Sequence, residues 1–297
     1  MPDFTVCNVC EHPGTFENSA EINQVFSNVR KFKDQKFTVW RCSSCRSLHS
    51  KEEVDLDYYY KHYPVALAKK EELPSTSSYS RNRIFYKRLQ LLQKRGFKRE
   101  HELLDYGCGN GDFLSFLQQL GYQKCFGYDP YSPNYSNKKV LERKYDFIVS
   151  YDVIEHVNEP RQFIKDLVDS LKVGGLFVVA TPNADGIDLS KPELFVETHQ
   201  PYHRHLLSEK ALLNLGSSQG ITAIEVYKRC YFDTLYLFVN TRFIWGYVHC
   251  TGGFLNALYE PPRLRLILTS PILIFYAVAG YFFPTRANMI IFFRCNP

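Results

Sequence analysis

Leu103-Leu-Asp-Tyr-Gly-Cys-Gly-Asn-Gly-Asp-Phe113 is a short apolar run that breaks into three alternating glycines and then enters a helical pattern. Glycines at 107, 109 and 111 let a strand turn sharply into a helix while the backbone, free of Cβ atoms, approaches a bound ligand closely. A dinucleotide loop needs the third glycine one position later, where this chain has Asp112, so a nicotinamide cofactor is disfavoured. Outward from this loop the chain alternates strand and helix patterns. Strands are expected at 102–106, 124–128, 145–150 and 175–181 and helices at 112–120 and 159–171, giving an α/β fold with a mostly parallel, doubly wound sheet that binds ligands at the carboxyl ends of its strands.

Three further stretches stand in fixed order behind the loop: Gly127-Tyr-Asp129 closing the second strand, Tyr145-Asp-Phe-Ile-Val-Ser-Tyr-Asp-Val-Ile-Glu-His-Val-Asn-Glu-Pro160, and Leu171-Lys-Val-Gly-Gly-Leu-Phe-Val-Val-Ala-Thr-Pro-Asn183. In sequence and spacing they resemble the class I S-adenosylmethionine (SAM) methyltransferases, which have a Rossmann-like fold. The resemblance implies that Asp129 is the ribose carboxylate, with Pro130 beside it. It places Gly107 and Gly109 under the methionine part, within the loop that Tyr106 and Cys108 complete, and makes Asp105 the residue orienting that loop. Tyr151, Asp152 and Val153 are implied to face the cofactor, with His156 on the same side, and Tyr79 and Arg83 are candidate contacts from the stretch that closes over SAM. One departure stands out: only fifteen residues, Pro130 to Lys144, precede the next clear strand. The third strand is therefore expected to be absent or very short, and Glu142 is the one acidic residue left there for the adenine amino group.

Catalysis by such an enzyme rests mainly on positioning, because the sulfonium already activates the methyl group. A histidine with an ordinary pKa of about 6.5 suits a base that deprotonates the acceptor. Glu155 and His156 follow the fourth strand, and His199, His203 and His205 stand with Arg204 in a polar loop before a helix around Leu212 to Leu215. His156, His203 and Glu155 are the catalytic candidates. Three histidines within seven residues also raise the alternative of a second metal site.

At the other end, Cys7-Asn-Val-Cys10 and Cys42-Ser-Ser-Cys45 present four thiolates as two knuckles, the arrangement that a closed, structural zinc site needs. A zinc-binding module over 1–54 is expected, followed by a linker and covering helix over 55–96. Similar cysteine-rich modules precede the methyltransferase domain in sugar C-methyltransferases and in methyltransferases of polysaccharide and natural-product pathways. Nine cysteines, an odd number, suit metal binding in a reducing compartment better than disulfides, and no signal-peptide pattern opens the chain. A cytoplasmic protein is expected. Tyr58, Tyr59, Tyr60 and Tyr63 either pack a domain seam or line an acceptor pocket.

The SAM-binding domain is expected over 97–231, an apolar insertion over 232–286 and the last strand over 287–297. Leu266 to Phe283 holds eighteen residues without a charge, flanked by Arg263, Arg265 and Arg286 and broken by Pro271. A crossing would strand the final strand on the far side of the membrane, so a spanning helix is rejected. The stretch is expected either to bury itself against the domain or a second subunit, as in a homodimer, or to lie as a shallow hairpin on the inner face of a membrane. The net charge of +5 demands no nucleic-acid partner. The expected function is methyl transfer to a small or lipid-linked metabolite, such as a sugar of surface-polysaccharide or natural-product synthesis. The alternatives are an RNA methyltransferase that uses its zinc module for nucleic acid, and a non-catalytic SAM-binding protein.

Overall fold

A computed structural model describes residues 6–13, 16–63 and 76–297, leaving aside the side chains of 76–79. The chain starts with three antiparallel strands, β1 (Glu21–Phe26), β2 (Lys36–Arg41) and β3 (Leu48–Ser50), and a short helix α1 (Leu56–Tyr60). Helix α2 (Thr76–Gln93) leads to β4 (Leu103–Tyr106), α3 (Asp112–Gln119), β5 (Cys125–Tyr128), β6 (Tyr145–Tyr151), α4 (Pro160–Asp169) and β7 (Leu171–Pro182). A two-residue strand β8 (His205–Leu206), α5 (Glu209–Ser218) and β9 (Ile221–Tyr227) follow. Helices α6 (Thr241–Cys250), α7 (Leu264–Thr269) and α8 (Pro271–Ala279) then precede β10 (Asn288–Cys295).

Six strands form the main sheet in the order β5-β4-β6-β7-β10-β9. β5, β4, β6 and β7 run parallel, and β10 inserts antiparallel between β7 and β9. Side chains alternate across a strand, so consecutive apolar residues feed opposite faces. Leu104, Ile148, Phe177, Ile291 and Phe293 face a core with α4 and α5, while Leu103, Phe147, Val149, Leu176, Val178 and Phe292 face a core with α2 and α3. Near-continuous apolar strands are what a sheet covered on both sides requires. As expected of the compressed stretch, no strand lies between β5 and β6 among the described residues; a 3₁₀ turn, Lys138–Glu142, takes its place, and Glu142 is exposed.

The cysteine-bearing segment does not stand apart. β3 pairs with β8, His49 opposite His205 and Leu48 opposite Leu206, so the smaller sheet β1-β2-β3-β8 draws its last strand from the histidine loop of the main domain. Cys7, Val9, Trp40 and Cys42 join the α4/α5 core. Asp55 caps α1, and Tyr59 packs on Phe32 with ring centroids 4.7 Å apart.

The apolar stretch between β9 and β10 folds as short helices, and among the described residues no helix is long and apolar enough to cross a membrane. Pro271 begins α8, whose first turn is capped by Ser270. Leu273 and Ala277 turn inward onto Phe243, Tyr247 and Ala257. The opposite face leaves Leu268, Ile272, Phe275, Val278 and Phe282 exposed, Leu268 at 72% and Phe282 at 67%.

Candidate active site

The glycine loop lies where β4 ends. Gly107, Gly109 and Gly111 all have positive φ, at 82°, 57° and 78°, a region that costs other residues strain. At Gly107 a Cβ would come within 2.2 Å of Val153 Cγ2, while beside Gly109 nothing among the described residues lies within 4 Å of such an atom, leaving that backbone open to a ligand. Asp129, at the end of β5, ties the loop down: Oδ2 accepts from Gly109 N at 2.9 Å and Oδ1 from Tyr131 N at 2.8 Å. Each oxygen keeps a lone pair for a further donor. Pro130 beside it is exposed.

Asp105 is 3% exposed in the middle of the sheet, and burial pushes its carboxyl up to about 6, against the pull of the Arg88 guanidinium. Arg88 itself lies between the rings of Tyr151 and Tyr231, 4.1 Å from each centroid. Tyr106 packs on Tyr128 and Phe163, and Cys108 Sγ sits where a side chain at Gly127 would collide with it. Tyr79 falls in α2 with its side chain outside the described residues. Arg83 stacks on Tyr236, 4.2 Å from the centroid.

Past β6 the chain bends through Asp152, which has a positive φ of 54° and accepts a 2.6 Å hydrogen bond from Tyr231 OH. Glu155 is fully buried; Oε2 accepts from Thr181 Oγ1 at 3.0 Å and Oε1 has no partner among the described residues. Burial, reinforced by Asp152, lifts its carboxyl well above the usual range. The Glu155 carbonyl accepts from Arg204 N and His205 N, which binds this bend to the histidine loop. His156 Nδ1 donates to Tyr202 O at 3.1 Å and touches Tyr60 OH, and burial holds the ring down at about 4. His203 Nδ1 donates to Glu197 O at 2.7 Å, and burial keeps it well below the usual histidine range.

Glu155, His156 and His203 share a cavity of about 290 Å³ with Tyr63, Asp152, Tyr231 and Trp245. A larger cavity, about 430 Å³, lies between β1 and the 190–198 and 249–254 loops and holds none of the motif residues. The sequence reading did not anticipate Glu197, Trp245 and Asn288 in this wall. Trp245 Nε1 and Asn288 Nδ2 both donate to Glu197 Oε1, at 2.9 and 2.7 Å. The insertion thus roofs the cavity, a role that its apolar composition conceals.

Around the N-terminal knuckles, Cys7 Sγ lies 3.8 Å from Cys45 Sγ and Cys10 Sγ 3.8 Å from Cys42 Sγ, and all four sulfurs fall within 4.8 Å of one another. A tetrahedron of sulfurs about 2.3 Å from a central ion has edges of about 3.8 Å, so the donors fit zinc. Behind them, Asn8 Nδ2 reaches His205 Nε2 at 2.9 Å, His205 Nδ1 meets His49 Nδ1 at 2.9 Å, and His49 Nε2 meets Cys7 Sγ at 3.3 Å.

Residues 78–226, spanning the glycine loop, Asp129 and the Glu155-His156 bend, match the methyltransferase domain family. The chain belongs to that family. The methyltransferase domain therefore accounts for α2 through β9, and SAM is the cofactor that its fold supports. The tRNA U34 carboxymethyltransferase of Campylobacter hominis is 28% identical over 108 residues, 29% of this chain and 38% of that protein, so the chain matches well under two thirds of that relative's length. A putative sarcosine dimethylglycine methyltransferase from Galdieria sulphuraria aligns with a TM-score of 0.45 at 17% identity, covering 71% of this chain and 84% of that one. A SAM-dependent methyltransferase from Archaeoglobus fulgidus aligns with a TM-score of 0.42 at 15% identity, covering 71% and 94%.

Proposed function

We propose that this protein is a SAM-dependent methyltransferase whose acceptor is a small or lipid-linked metabolite, a sugar of surface-polysaccharide or natural-product synthesis. The carrying observation is the cavity beside Asp152: about 290 Å³, walled by Tyr63, Tyr231, Trp245 and buried histidines. That is the small end of the range for small-molecule sites, and aromatic walls suit the apolar face of a sugar ring. SAM supplies a methyl group already activated on sulfonium; Asp129 and the open backbone at Gly109 hold it, with Asp105 behind the loop. The chain's own contribution is alignment and exclusion of water by the insertion. The four cysteines hold a structural zinc ion that fixes β1 to β3 against β8.

The exposed face of α7 and α8, with Arg263, Arg265 and Arg286 around it, supports docking on an anionic membrane where a lipid-linked acceptor would be met. The protein is then expected to float with anionic liposomes, less so at high salt, and to stay behind when Leu268, Val278 and Phe282 become Ser. Wild type that remains in the soluble fraction removes the lipid-linked acceptor.

The likeness to a tRNA-modifying enzyme favours RNA as the rival acceptor. Against it, no Lys or Arg among the described residues lines the cavity, and phosphate contacts by such residues dominate nucleic-acid binding. Labelled SAM offered with nucleotide-sugars, lipid-linked sugars and total tRNA decides between them. Label in tRNA alone overturns the metabolite reading, and no binding of SAM or S-adenosylhomocysteine overturns the enzyme.

A further inference from the structure

We infer that Glu155, His156 and His203 form a second metal centre, separate from the cysteines, that holds a divalent first-row transition cation against the acceptor. A carboxylate oxygen of Glu155 and a ring nitrogen of each histidine lie within 4.8 Å of one another, and all three side chains line the cavity. The histidine rings meet edge to face, with centroids 4.8 Å apart. Their surroundings suit the tautomer that a metal needs, with the Tyr60 hydroxyl accepting beside Tyr202 O at His156 Nδ1. Each gives its Nδ1 proton to a backbone carbonyl, His156 to Tyr202 O and His203 to Glu197 O, and a carbonyl only accepts. Each Nε2 is therefore left as a bare lone pair, oriented by an outer hydrogen bond of the kind that holds metal-ligating histidines.

The third donor is the independent sign. Glu155 is completely buried, Oε2 is engaged by Thr181, and Oε1 has no hydrogen-bond partner among the described residues. A buried carboxylate oxygen without a donor is costly, and a cation is the partner the surroundings lack. The bend carrying Glu155 and the loop carrying His203 are joined by the hydrogen bonds from Arg204 N and His205 N to the Glu155 carbonyl, so the three donors are held in place by backbone.

Two imidazoles and one carboxylate suit Mn²⁺, Fe²⁺ or Co²⁺ and leave coordination positions open. Those positions face the cavity, where oxygen donors would fill them. The acceptor class is thus a hydroxylated one, with two neighbouring hydroxyls the best match. That the cation meets the acceptor rests on the function proposed above; that it binds does not.

The full chain, with zinc already on its cysteines, is titrated with Mn²⁺ while electron paramagnetic resonance reports free Mn²⁺, a hard cation that thiolates do not retain. Wild type is expected to take up one Mn²⁺ per chain. Glu155→Gln, which can still accept from Thr181, and His203→Ala are each expected to weaken it at least about tenfold, with zinc content and S-adenosylhomocysteine affinity unchanged. No uptake by wild type at about 1 mM Mn²⁺, or uptake by both variants equal to that of wild type, overturns the site. S-adenosylhomocysteine binding measured on the same samples keeps the two readings apart: bound cofactor product without Mn²⁺ removes only the metal, and its absence removes the methyltransferase reading whatever Mn²⁺ does.

Discussion

Replacing Asp105 with Asn should make this protein more stable and a poorer binder of its cofactor. Asp105 is 3% exposed, and burial raises its carboxyl from 3.8 to about 6, with Arg88 offsetting part of the effect. An unfolded chain gives up this proton near pH 4, whereas the folded one keeps it to about pH 6. The native state binds the extra proton across that window, so its stability falls as pH rises through it and stays lower above it. A shift of about two units, from which the Arg88 attraction has already been subtracted, corresponds to about 3 kcal/mol at the upper limit, so the amide is expected to gain about 1–3 kcal/mol. Urea unfolding followed by circular dichroism from pH 4 to 8 reads this directly. The two curves should coincide near pH 4 and separate above pH 6, the variant lying higher. A variant that matches the wild type near pH 4 and falls below it as pH rises would show that ionised Asp105 and Arg88 form a net stabilising pair whose attraction exceeds the desolvation cost.

Asp129→Ala should weaken S-adenosylhomocysteine binding by about ten- to a hundredfold in calorimetry, because hydrogen bonds to a charged acceptor are worth roughly 1.5–3 kcal/mol each and the loop also loses its ties at Gly109 and Tyr131. Cys42→Ser should release zinc in elemental analysis and speed amide exchange in β2 and β3 while cofactor affinity is kept; full zinc content in that variant refutes the four-cysteine ligand set.

The glycine loop was readable because its backbone angles admit few other residues, and the final strand because Met289 to Phe293 is continuously apolar. Asp129 was readable through its place at a strand end. What escaped the sequence is pairing at a distance. Nothing near Leu48 or Leu206 announces that β3 and β8 are partners, since their two-residue ladder has no periodicity to detect. Glu155, His156 and His203 were each nominated, yet their convergence on one point depends on a loop returning 47 residues later to place His203 beside His156. The same holds for Trp245: its insertion reads as surplus apolar chain until Glu197 and Asn288 are seen to meet it. The Tyr58 to Tyr63 cluster could be read as seam or pocket, and it is both, with Tyr59 on Phe32 and Tyr63 in the cavity wall. Of the linker and covering helix expected over 55–96, residues 64–75 lie outside the described residues.

The cavity's roof comes from residues 232–286, inserted between β9 and β10, while the glycine loop and Asp129 belong to the repeating strands and helices at the opposite edge. Selection can therefore act on the two halves separately. A descendant that exchanges or trims that stretch would reshape the cavity while the glycine loop and Asp129 keep their places on the strands, a route by which one cofactor could come to serve a different acceptor.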